Sequence, residues 1–133
     1  MNLTKSMSET KFTKWFCECL ELYNTMTFAI VGSMMQEAGW PDRYFAHKNF
    51  GDCWIEFKKD DEPLRKLQDK IIRDLNAHST KAFVGRFISD KLAFQLEDAD
   101  GNVFREIRFG DMAKDKGKCG RTILDVLVVQ VKL

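Results

Sequence analysis

The stretch Trp54-Ile55-Glu56-Phe57-Lys58-Lys59 alternates as a β-strand does. Side chains alternate faces along a strand, so Ile55 and Phe57 point one way and Trp54, Glu56 and Lys58 the other. On a solvated edge that pattern is ordinary. On a covered face the carboxylate and the ammonium must be paired, bound to a metal, or used in chemistry. Asp42 precedes Glu56 by 14 residues, a separation that suits two paired strands joined by a turn. Downstream, Leu64, Leu67, Ile71, Ile72 and Leu75 form the stripe of a helix, and Gln68 falls between Ile71 and Ile72 on its wheel. A buried amide costs about 1–3 kcal/mol if unpaired. The acid and base of the preceding strand are the nearest partners, against the plainer reading of a rim glutamine in water.

The elements that must position these residues follow from periodicity. Glu9 to about Tyr23 reads as a helix with Phe12, Trp15, Phe16, Cys19, Leu20 and Tyr23 on one stripe. Ser8 stands where it would cap that helix, without the acid that completes a capping box. Residues 27–32 predict a strand ended by Gly32, 33–43 a turn punctuated by Gly39 and Pro41, and 43–48 a strand. Asn49 to Asp52 is the turn into the Trp54 strand, and these two strands form a hairpin. A polar loop, a helix over 64–77 and a strand over 81–88 follow. Two more strands flank Asp98-Ala99-Asp100-Gly101, a hairpin signal. Residues 109–122 read as a glycine- and lysine-rich loop, and ILDVLVVQVKL as a closing strand. The order is α-β-β-β-α-β with a β-rich extension.

The 133 residues suffice for one domain, 1–133, with a core over about 9–88 and the extension over 89–133. With 44% hydrophobic and 31% charged residues, disorder is excluded as the overall state. The net charge of +1 excludes a protein held on nucleic acid by bulk charge alone. The opening residues lack the apolar core of a signal peptide, and no apolar run is long enough to span a membrane. Cys17, Cys19, Cys53 and Cys119 lack zinc-site spacing and read as reduced, partly buried thiols.

Asp42 in Trp-Pro-Asp-Arg, Glu56-x-Lys58 on its strand, and Leu64 with Gln68 on the following helix resemble the PD-(D/E)xK nuclease superfamily. Within it they resemble the virus-type replication-repair nuclease (VRR-NUC) domain, whose Gly-x-Pro-Asp-Arg is matched from Gly39. The similarity covers about Gly39 to Arg86. It implies a restriction-endonuclease-like αβββαβ core, an α/β (α+β) fold whose mixed central sheet is flanked by helices. It further implies a divalent-metal-dependent DNA endonuclease, structure-selective for branched or nicked DNA and homodimeric, as in phage-like stand-alone forms, acting in the cytoplasm (the host's if phage-encoded).

By that resemblance Asp42, Glu56 and the carbonyl of Phe57 would hold Mg²⁺ or Mn²⁺. Lys58 would orient the water or stabilise the phosphate, and Gln68 would steady Lys58 or the water. Hard ions of this kind take oxygen ligands and activate water. The family's additional acid on the first helix has three competitors. Glu9 lies on the shoulder of the stripe and Glu18 and Glu21 on the opposite side; Glu37 is a further candidate, and the choice stays open. Arg43, Lys59, Lys114, Lys116, Lys118 and Arg121 are candidate DNA contacts. Asp52 competes with Asp42 but belongs by position to the turn. His47 and His78 read as structural or surface residues. The alternative function is a catalytically inactive nuclease-fold module binding nucleic acid or protein, or a phage inhibitor.

Overall fold

The computed structural model describes residues 1–30 and 34–133, the side chain of Gln36 excepted. The end of the first strand at Gly32 therefore lies outside the described residues. The elements are α1 (Glu9–Glu21), β1 (Met26–Ala29), α2 (Met34–Glu37), β2 (Arg43–His47), β3 (Gly51–Lys59), α3 (Lys66–Ala77), β4 (Ala82–Ile88), β5 (Ala93–Glu97), β6 (Val103–Arg108) and α4 (Lys116–Lys132). The fold is α+β, a six-stranded mixed sheet flanked by helices.

Strands lie in chain order, β1 to β6. Every pairing is antiparallel except β3 with β4, which are parallel. Parallel neighbours need a crossover, and α3 supplies it. That single crossover puts α3 on one face of the sheet; α1 and α4 cover the other.

The α1 face is an aromatic slab. Phe12 stacks on Phe87 with centroids 4.4 Å apart, and Phe16 packs against Phe94 at 4.8 Å and Phe57 at 5.1 Å. Ile55 and Phe57 are fully buried there, as the alternation of their strand requires. Ser8 caps α1 by accepting from the Lys11 amide at 3.2 Å, and Asn24 in the left-handed region turns the chain past its end. The α3 face is thinner: Ile72, Ala82 and Val84 are its buried apolar centre.

Three expectations give way. Residues 33–43 contain a helical turn, α2, before Gly39. Residues 110–114 form a 3-10 turn rather than an open loop. The closing segment is a 17-residue helix and not a strand. Its β-branched residues favour strands in isolation, but Cys119, Ile123, Leu127 and Val131 recur every fourth residue and are all buried against the slab. Tertiary burial of that stripe outweighs the local preference. Asp115 caps the helix by accepting from the Lys118 amide at 3.1 Å.

Helices α1 and α4 meet at Gly120. A Cβ there would overlap the Cys19 carbonyl and stand 2.9 Å from a ring carbon of Tyr23. Tyr23 also donates its hydroxyl to the Gly117 carbonyl at 2.5 Å. Gly120→Ala is expected to destabilise the protein by about 1–3 kcal/mol through overpacking, read as a lower urea midpoint at unchanged slope. An unaltered midpoint would show that the helices separate freely.

Candidate active site

Glu56 and Lys58 lie on the α3 face of β3, and each is only 5% exposed. The face is covered, so both charges need partners. Gln68, in the first turn of α3 and equally buried, donates its amide to Glu56 Oε2 at 3.1 Å. Its own Oε1 accepts from the Arg65 backbone N–H at 2.9 Å, which fastens the start of the helix. The Asp42 backbone N–H donates to Glu56 Oε1 at 3.2 Å. Gln68 thus holds the Glu56 carboxylate and the start of α3 together. Lys58 Nζ lies 3.9 Å from Glu56 Oε2 and 3.5 Å from Glu62 Oε2.

Asp42 ends the segment leading into β2. The Phe57 backbone N–H near its carboxylate favours the ionised form, and among the described residues its buried Oδ1 has no hydrogen-bond partner. Extending the β2–β3 register, in which Arg43 faces Ile55, sets Pro41 opposite Phe57. Proline has no N–H to give the Phe57 carbonyl. Gly39, at φ +88°, presses against the backbone of Leu67, and a Cβ would lie 2.7 Å from the Leu67 Cβ. Only glycine brings the Pro-Asp segment this close to α3.

A cavity of about 250 Å³ is lined by Glu9, Asp42, Glu56, Lys58, Glu62 and Gln68, with Trp40 and Arg65 at its wall. Of the competing first-helix acids, Glu9 reaches it. Glu18 instead pairs with Lys116 at 2.6 Å. Burial, then the charge of Glu9, pushes Asp42 up to about 7. Burial, then Asp42, pushes Glu56 up to about 8. Glu9 is raised by burial and by Glu62. The cavity gathers four carboxylates against Lys58 and Arg65, an excess that favours a cation.

Among the described residues no three His, Cys, Asp or Glu side chains form a ready metal cage. The carboxylates of Asp42 and Glu56 line the cavity and are oxygen ligands of the kind that suits a hard ion that keeps several waters, whereas Phe57 is not among the lining residues. Asp42 Oδ1, without a partner among the described residues, could serve as one such ligand.

The basic candidates are not brought together. Strand alternation puts Arg43 and Lys59 on the α1 face, away from Glu56. Lys114 and Lys118 are exposed, Lys116 is paired with Glu18, and Arg121 lies 3.4 Å from Asp125. None of these lines the cavity. Glu18 is nine residues beyond Glu9, about 13.5 Å along the helix. Asp52 is in β3 rather than a turn, and accepts from the Tyr44 hydroxyl at 2.5 Å. His47 bonds the Tyr23 carbonyl at 2.9 Å and accepts from the Asn49 N–H, a structural role. The four cysteines are free and buried. Glu62 and Arg65 are the residues that pattern alone misses, since a loop has no periodicity to read.

No protein-family model matches the chain, and no curated protein is significantly similar to it. Among the described residues no helix is long and apolar enough to cross a membrane.

Asp42 and Glu56 bind protons more tightly when folded than their ordinary values of 3.8 and 4.5 allow in the unfolded chain. Stability from this pair is therefore full below about pH 4 and is lost as pH rises toward 7–8. Without divalent ions, the melting temperature should fall from pH 5 to 9 more steeply in wild type than in Asp42→Asn. Parallel curves would mean that the two acids do not repel.

Proposed function

We propose that the protein is a Mg²⁺- or Mn²⁺-dependent DNA endonuclease that hydrolyses phosphodiester bonds, structure-selective for branched or nicked DNA. The carrying observation is the convergence of Asp42, Glu56 and Lys58 in one cavity, where Asp42 Oδ1 has no partner among the described residues. The resemblance of Gly39 to Arg86 to the VRR-NUC domain supports the same reading. A bound divalent ion would supply Lewis acidity and a water of lowered pKa. Asp42 and Glu56 would hold it. Gln68 and the Asp42 N–H fix the Glu56 carboxylate in advance, so no reorganisation is needed at the moment of reaction. Lys58 directs its ammonium into the cavity, where it would meet a phosphate oxygen on which charge develops. Arg65, exposed at the wall and in no ion pair among the described residues, would meet a flanking phosphate.

A homodimer is the proposed assembly. Edge strand β1 exposes Met26 (74%) and Phe28 (63%), an apolar rim unusual for a free sheet edge. Light scattering should give twice the monomer mass, and Phe28→Lys should return it to the monomer value; a monomeric wild type would discard the assembly.

The nuclease reading is tested with supercoiled plasmid, linear duplex and a four-way junction in Mg²⁺, Mn²⁺ or EDTA. Cutting should require the metal and should fall by at least about a hundredfold in Lys58→Ala and Glu56→Ala, both folded by circular dichroism. Mn²⁺ should raise the melting temperature of wild type but not of Glu56→Ala. A folded wild type that cuts none of these, and gains no stability from Mn²⁺, would leave the binding-module alternative in its place.

A further inference from the structure

Trp54 shares the face of Glu56 and Lys58, and its neighbours form an aromatic ladder leading to them. Tyr44, opposite Trp54 in the β2–β3 register, packs its ring 5.0 Å from the indole. Trp40 closes on the other side at 5.5 Å, edge to face. All three are half-buried rather than sealed in the core. Trp40 is the shared wall of two cavities. One is the carboxylate cavity; the other, about 310 Å³ and apolar, is lined by Trp40, Ile71, Asp74, Leu75 and His78. The outer cavity carries little polarity of its own: Asp74 is paired with Lys70 at 2.6 Å. His78 Nδ1 lies 2.7 Å from the Asp74 carbonyl, which can only accept, so Nδ1 carries the proton.

The geometry points to this outer cleft as the seat of an unpaired nucleobase, adjacent in its strand to the phosphate in the carboxylate cavity. An apolar slot walled by an indole suits the face of a base, because every base has a π-face to stack. Its position beside the acid–base cavity, across Trp40, and Arg65 on that cavity's wall match a strand whose base is apolar-faced and whose phosphate is anionic. A base already unpaired at a branch, bulge or nick enters at least cost, so the cleft would itself select such substrates. The inference rests on the nuclease reading for the identity of its ligand and names the feature that the site would recognise.

The test is binding of fluorescein-labelled DNA in Ca²⁺ by the full chain. Three duplexes of one sequence are used: fully paired, with a two-nucleotide bulge, and with that bulge made abasic. Wild type should bind the base-containing bulge roughly ten- to a hundredfold tighter than the abasic one. Trp40→Ala should lose that preference, and Trp40→Phe should keep most of it. Equal affinity for the two bulges, or a preference that survives in folded Trp40→Ala, overturns the inference. If Trp40→Ala does not fold, Ile71→Glu, which places a carboxylate in the cleft from the helix side, decides in the same way. Base preference without metal-dependent cutting would remove the nuclease reading and leave the cleft. Cutting without base preference would remove the cleft alone.

Discussion

The Glu56 carboxylate is buried beneath the first turn of α3, and its burial organises what surrounds it. Each oxygen takes one donor, from the Gln68 amide and from the Asp42 backbone. Those two bonds tie three separate stretches of chain, β3, α3 and the entry to β2, to a single group. A buried carboxylate deprived of its donors would be strongly destabilising. The docking of α3 and the shape of the cavity are therefore one constraint. The same burial raises the proton affinity of Glu56 and of Asp42 beside it. What secures the structure mechanically loads it electrostatically, and a cation between the two acids would relieve that load.

The backbone permits this through two residues. Gly39 adopts a positive φ and lies directly on α3, where any side chain would collide with Leu67. Pro41 occupies the position where a longer β2 would cap the Phe57 carbonyl. Together they stop the hairpin short of its full length. The β2–β3 pairing ends at Arg43 and Ile55, and the carboxylate of Asp42 comes beside Glu56 in the cavity.

The site was legible because period-2 and period-3.6 patterns act over a few residues. Alternation alone put Glu56 and Lys58 on one face, and the wheel alone put Gln68 inward, where it is buried. Leu67 shows the limit of the same wheel: counted with the stripe, it lies at its edge and is 52% exposed. The closing helix was misread for a different reason. Its run of Ile, Leu and Val satisfies both strand composition and a fourfold repeat, and only the presence of a slab to bury against selects the helix. The basic residues read as one loop were dispersed by that helix, since side chains at 116, 118 and 121 leave it in different directions. Glu62 had no pattern to betray it. Its place is set by contacts made more than twenty residues later in the chain.

Those contacts give the strands beyond Arg86 a part in the site. Glu97, on β5 and 4% exposed, accepts from Arg86 Nε at 3.1 and 3.2 Å. With that end of the guanidinium held, Nη1 donates to the carbonyls of Asp60 at 2.8 Å and Glu62 at 2.7 Å. Ser89 grips the Asp60 carboxylate from the end of β4 at 2.9 Å. The loop between β3 and α3 is thus held from the β4–β5 side, with Asp60 kept at a positive φ. Glu62 follows on that loop and faces Lys58. A half-buried arginine and a buried glutamate are tolerated only when their hydrogen bonds are satisfied, and the bonds that satisfy Arg86 are the ones that shape the loop. Loss of β5 would therefore act on the cavity through Arg86, although β5 contributes no side chain to it.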